Sequence, residues 1–126
     1  MLKTESVVVV ADNTGVKKAK IIRILKSSMA TTARIGDRVV VAVQEVMSTS
    51  SIKKGDVAQG IIVRVRKEIG RKDGTYIRFG DNAIVLMSKD AKGEIKPIGK
   101  RIFGPVAREL RELGYKNITN MAEEVC

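Results

Sequence analysis

Three carboxylates stand beside glycines in a way that could stage proton transfer: Asp37 after Gly36, Asp56 after Gly55 and Asp73 before Gly74. A general acid or base needs a partner, and the sequence supplies none. There is no histidine, hence no imidazole base, no His metal ligand and no Ser–His or Cys–His nucleophile pair. The single cysteine, Cys126, is the last residue and alone makes neither an internal disulfide nor a zinc site. It is expected to be an exposed thiol without a role. Beside glycine, aspartates serve turns and caps. Lys53 and Lys54 precede Gly55 rather than following at P-loop spacing, so no nucleotide cradle is expected. The expectation is no catalytic residue, no metal site, no cofactor and no small-molecule substrate.

The residues with chemistry to offer are the cations. The 126 residues hold 24 Lys plus Arg against 14 Asp plus Glu, a net charge of +10. Excess positive charge without catalytic company most often serves phosphate. Asn13 to Gly36 carries Lys17, Lys18, Lys20, Arg23, Lys26 and Arg34 with no acid. Lys53 and Lys54 form a pair. Val57 to Gly80 carries Arg64, Arg66, Lys67, Arg71, Lys72 and Arg78 against Glu68 and Asp73. A third basic stretch runs from Lys89 to Arg111, while Glu112 to Cys126 is net negative. Arg64 and Arg66, spaced as the polar side of a strand, are the strongest contact candidates, because arginine pairs bidentately with phosphate. Only four aromatic residues exist (Tyr76, Phe79, Phe103 and Tyr115), and there is no Trp. Phe79 and Phe103 are expected in the core. Few rings then remain for stacking bases, so phosphate, 2′-hydroxyl and shape contacts should dominate.

These cations need a rigid body, and the pattern supplies one. Val7–Val10 reads as a strand ending in the turn Asp12-Asn13-Thr14-Gly15. Residues 18–25 and 38–43 are β-branched strands, the latter entered through Gly36-Asp37. Lys53-Lys54-Gly55-Asp56 repeats that punctuation, and two Gly-Asp turns before β-rich runs predict a small closed barrel. Residues 61–67 and 75–79 alternate about Asp73-Gly74, a hairpin. Asn82 to Leu86 is another strand, and residues 88–99 form a loop or small hairpin. Gly104 to Gly114 is expected to be a helix, with Pro105 in its first turn, Gly114 at its stop, and Val106, Leu110 and Leu113 on one face. A second short helix is expected over Asn120 to Val125. The chain reads as one domain, 1–126, all-β with a helical appendix at about 104–126. No transmembrane span and no signal-peptide pattern is expected, and cysteine usage suits a reduced compartment.

From Gly60 to Leu86 the order of residues becomes specific: Gly60-Ile61-Ile62-Val63, Asp73-Gly74, Phe79, Asn82 and Val85-Leu86. Ala11-Asp12-Asn13-Thr14-Gly15, Ile35-Gly36-Asp37, Lys53-Lys54-Gly55-Asp56, Ile77-Arg78-Phe79 and the run from Gly99 to Leu110 follow in the same order. Over essentially the whole chain this resembles the universal large-subunit ribosomal proteins of the L-fourteen family. Arg101-Ile102-Phe103-Gly104-Pro105-Val106 resembles the bacterial and organellar branch. The resemblance implies a five-stranded β-barrel with a projecting β-ribbon and short C-terminal helices. It also implies a non-enzymatic, rRNA-binding structural constituent of the large subunit that serves translation.

The partners implied by the resemblance are large-subunit rRNA, small-subunit rRNA at an intersubunit bridge, a neighbour of the L-nineteen family and a ribosome-silencing factor. Lys100 and Arg101 match the silencing-factor surface, while a further family lysine there corresponds to Asn117, beside Lys116. With Arg108 and Arg111 these define an expected protein-docking set. A protein-docking module with RNA binding secondary is the alternative reading. Relative to the family, Met29-Ala30-Thr31-Thr32 replaces a basic, aromatic run, and the loop from Met87 to Ile98 is longer. Such departures lean towards an organelle matrix, such as the mitochondrion, with a bacterial cytoplasm also open.

Overall fold

β-branched runs become strands where a turn lets them reverse, and the chain alternates the two. The computed structural model describes residues 2–25, 32–89 and 92–126. The elements are β1 (Val7–Val10), β2 (Val16–Ile24), β3 (Arg38–Val46), β4 (Val57–Arg64), β5 (Ile69–Gly70), β6 (Tyr76–Ile77), β7 (Ala83–Lys89), β8 (Ile95–Pro97), β9 (Ile102–Val106), α1 (Glu109–Glu112), α2 (Lys116–Met121) and β10 (Ala122–Val125). The large sheet runs β1-β2-β3-β4-β7-β8, and β1 also pairs with β7. That extra pairing closes five strands into a barrel and leaves β8 as an outer flap. Every barrel pairing is antiparallel except the β1–β7 seam, where Val9 faces Ala83 and Val10 faces Ile84.

The period of two sends Val8, Val10, Ala19, Ile21, Val39, Val41, Val43, Ile62, Ile84 and Leu86 into the buried core. Gly60 makes room in it: a Cβ there would lie 3.1 Å from Ile84 Cδ1 and 3.2 Å from the Val85 carbonyl. The two Gly-Asp turns are built alike. Asp37 Oδ2 accepts the Arg34 N–H at 2.7 Å and Asp56 Oδ2 accepts the Lys53 N–H at 3.0 Å. Both carboxylates thus close turns, as the glycine neighbours predict.

The C-terminal region departs from expectation. Gly104 to Val106 belongs to strand β9 rather than to a helix, and β9 pairs in parallel with β10, Val106 against Val125. The α1 helix is a single turn, and α2 starts four residues before the second helix expected over Asn120 to Val125 and overlaps it only at Asn120 and Met121, the residues Ala122–Val125 being strand. Leu110 is buried, but Leu113 is 57% exposed, so the predicted three-residue face is incomplete. Gly114 does stop the segment, with φ of 94°.

This β9–α1 unit explains a second departure. Residues Ile61 to Val65 do not alternate; all five are buried. The barrel interior takes one face of β4, and the C-terminal unit covers the other. The Ala107 N–H donates to the Val63 carbonyl at 3.4 Å, and Leu110 and Leu113 lie over Gly36 at the same end. Phe103, expected inside, is 48% exposed, because its strand lies across the barrel's outer wall.

Candidate RNA-facing surfaces

Arg64 is where sequence pattern and structure disagree most. It is 7% exposed and offers nothing to an external phosphate. Its Nε donates to Asp81 Oδ1 at 2.8 Å, and Nη1 donates to the carbonyls of Phe103 (2.8 Å) and Pro105 (3.1 Å). Carbonyls two residues apart leave a strand on the same edge, so the guanidinium occupies the place of a neighbouring strand beside β9. Proline at 105 fits that arrangement. The N–H it lacks would have pointed along its own carbonyl, towards the cation. The Gly104 backbone, at φ of 79°, passes so close that a Cβ there would lie 2.5 Å from Arg64 Nη1.

Asp12 secures the same unit from its other end. The Ala11 N–H donates to the Ile84 carbonyl at 2.9 Å, continuing the seam. The next acceptor is a side chain: Asp12 Oδ2 receives the Leu86 N–H at 3.0 Å, while Oδ1 receives the Thr14 N–H and hydroxyl. Burial pushes its carboxyl above the ordinary 3.8, against the pull of these hydrogen bonds. Beside it the Phe103 N–H donates to the Ala11 carbonyl, and Asn13 Oδ1 receives the N–H groups of Lys100 (2.9 Å) and Arg101 (3.3 Å). The sequence showed Asp12 as a turn former; its reach to Leu86 left no local signal.

Arg71 is also engaged internally. Its Nε lies 2.6 Å from Glu109 Oε1, and Nη2 donates to the Cys126 carbonyl. The β5–β6 ribbon therefore leans on α1, rather than projecting free. Its tip is held as well, since Arg108 Nη2 sits 3.4 Å from Asp73 Oδ2. Two hydrogen bonds from Thr75 and the nearby Arg108 hold the Asp73 carboxyl below its ordinary value. The Cys126 thiol is partly covered, and burial with the neighbouring Glu124 raises its pKa.

The remaining cations sort to the outer wall and the two ends of the barrel. Lys18 and Lys20 of β2 flank Val9 and Val7 of β1 on the outer wall, and Arg23 is exposed further along. Lys17 and Lys18 each approach Glu45 only to 4.0 Å. At their end, the loop carrying Lys53 and Lys54 packs on the β1–β2 turn through the Ser50 hydroxyl, which donates to the Thr14 carbonyl at 2.9 Å. Lys100 shares a cleft there with Thr49, Ser50 and Ser51. At the opposite end, Arg34 and Lys67 border a pocket formed with Ile69 and Glu109, and Arg66, Lys72 and Arg78 are exposed nearby on the ribbon. None of Arg66, Lys67, Lys72 and Arg78 is in an ion pair among the described residues. Lys26 lies outside the described residues. The expected docking set is divided: Lys100 and Arg101 precede β9, Arg108 and Arg111 follow it, and a five-residue strand spans ~17 Å. Lys116 opens α2 and is exposed.

The chain is a small basic β-barrel in which Arg64 and Arg71 act as internal clamps and most other described cations are exposed. Comparison with known proteins names it further. The family model for ribosomal protein L14p/L23e matches residues 1–126. The chain is 49% identical to the large ribosomal subunit protein uL14 of Petrotoga mobilis, over 99% of each chain. This chain belongs to the L14p/L23e family of ribosomal proteins, in accord with the resemblance read from its motifs, and is a structural constituent of the large ribosomal subunit in translation.

Proposed function

We propose that the chain binds large-subunit rRNA through phosphate contacts made from both ends of the barrel. The observation that carries this is the exposed quartet Arg66, Lys67, Lys72 and Arg78, in no ion pair among the described residues, at one end, set against Lys17, Lys18, Lys53 and Lys54 at the other. Arg34, Lys20 and Arg23 extend these surfaces, whereas Arg64 and Arg71 hold the scaffold. The rigid barrel supplies register and the cations supply affinity. Filter binding to purified large-subunit rRNA tests it. Neutralising six to ten phosphates should lower affinity by very roughly 10³–10⁵ between 50 and 200 mM salt. Affinity that stays flat over that range refutes a phosphate-dominated interface.

The Lys100–Arg101 segment supports a second role, as a protein-docking edge. Its backbone is fixed by Asn13, so both side chains leave a rigid base. A silencing factor, a neighbour of the L-nineteen family and an intersubunit bridge to small-subunit rRNA all fit the family assignment as partners. Pull-down with and without ribonuclease separates protein docking from RNA-mediated association. The 49% identity to a bacterial relative over nearly the full length is support for a bacterial ribosome as this chain's setting.

A further inference from the structure

We propose that Tyr76 is a stacking platform for one unpaired base of the bound RNA, an inference that rests on the rRNA-binding reading. Tyr76 is 69% exposed, the most exposed of the large apolar residues among those described. It is nevertheless not loose. Tyr76 pairs across the ribbon with Gly70, and a Cβ on Gly70 would lie 3.4 Å from Tyr76 Cε1, so the ring rests over the bare glycine backbone. One ring face is supported by the protein and the other is turned to solvent.

The ribbon itself is anchored. Arg71, which closes the turn against Thr75, is held by Glu109, and Asp73 at the tip is held by Arg108. Ile69, which packs against the core, pairs with the half-buried Ile77. The period of two puts Arg78 on the outward face with Tyr76, along with Glu68 opposite it, while Lys72 is exposed in the turn that joins the two strands. Lys72 and Arg78 are exposed and in no ion pair among the described residues, so a phosphate chain can run beside the ring. Phe103, also exposed, lacks this setting; it borders a groove with the apolar Val9 and Met47. Cations beside a supported, open ring select a single-stranded nucleotide over an apolar protein surface.

The test compares wild type, Tyr76→Phe and Tyr76→Ala in binding purified large-subunit rRNA, measuring affinity, its salt slope and tyrosine fluorescence. With no Trp and only two tyrosines, a Tyr115→Phe background leaves Tyr76 as the sole emitter. Tyr76→Ala should weaken binding about 5- to 100-fold with the salt slope unchanged, because a stack is lost and no phosphate contact. Tyr76→Phe should restore most of the affinity, and Tyr76 emission should be quenched on binding. If Tyr76→Ala binds as wild type does, or emission is unchanged, the stacking is refuted while phosphate binding stands. If wild type itself fails to bind the rRNA, both are refuted.

Discussion

The guanidinium of Arg64 donates to a carboxylate and two carbonyls, whereas the guanidinium of Arg66, two residues on, carries no partner among the described residues. Truncating the two should give opposite phenotypes. Arg64→Ala strips donors from the Phe103 and Pro105 carbonyls and leaves Asp81, itself partly hydrated, unpaired. Urea denaturation should show a loss of about 2–4 kcal/mol. Arg66→Ala should leave stability within about 0.5 kcal/mol and lower the rRNA salt slope by about one contact. Equal stability for the two variants would mean that the Arg64 clamp contributes nothing. Asp12 carries a pH signature. Its folded pKa lies above 3.8, so the folded state binds the proton more tightly than the unfolded chain. Its contribution to stability is complete below the unfolded value and declines as pH rises through the folded one. Asp12→Ala orphans the buried Leu86 N–H at a cost of about 1–3 kcal/mol. That cost should be larger near pH 4 than at pH 7, and a cost independent of pH would contradict the raised pKa.

At the scale of elements, β9 is held less by its own propensity than by what flanks it. Gly104→Ala forces an L side chain into the left-handed region, costing about 1–2 kcal/mol, and drives a Cβ onto Arg64 Nη1. The second effect vanishes when Arg64 is absent. A double-mutant cycle of Gly104→Ala with Arg64→Ala should therefore fall short of additivity by more than about 0.5 kcal/mol; strict additivity would show that the two do not touch. The same dependence explains what the sequence could and could not reveal. Val7–Val10, the β3 run and both Gly-Asp turns were legible, because β-branched residues and glycine act locally. Gly104-Pro105 before Val-Ala-Arg-Glu-Leu carries the signature of a helix start, and the structure uses both residues for a strand. The deciding partner, Arg64, is some 40 positions earlier and left no local trace. For the same reason Arg64 and Arg71 passed for surface cations. Charge is visible residue by residue, whereas its engagement by Asp81 or Glu109 depends on tertiary contact.

For the whole molecule, the question is whether the barrel touches RNA at one end or spans two segments of it. Of the proposed rRNA contacts, Arg64 and Arg71 belong to the scaffold and Lys26 lies outside the described residues, which leaves eleven on or near the surface. Cations at the two ends, with Lys20 and Arg23 on the wall between them, can engage a folded polyanion in two ways. If both ends engage one folded rRNA, each set contributes its own counterion release. Replacing Arg66, Lys67 and Lys72 with alanine should then lower the salt slope by about 2–3, as should replacing Lys17, Lys53 and Lys54. The combined variant should lose the sum of the two, because the sets lie at opposite ends and share no partner. If only one end meets large-subunit rRNA, one triple variant should bind with the wild-type slope, leaving that end for small-subunit rRNA or a protein neighbour. Stability should not move in any of these variants, since none of the six residues makes an ion pair shorter than the 4.0 Å approach of Lys17 to Glu45. A loss of slope in both triple variants, without a loss of stability in either, is thus the signature of a two-ended clasp, and it separates the cations that meet RNA from those that build the barrel.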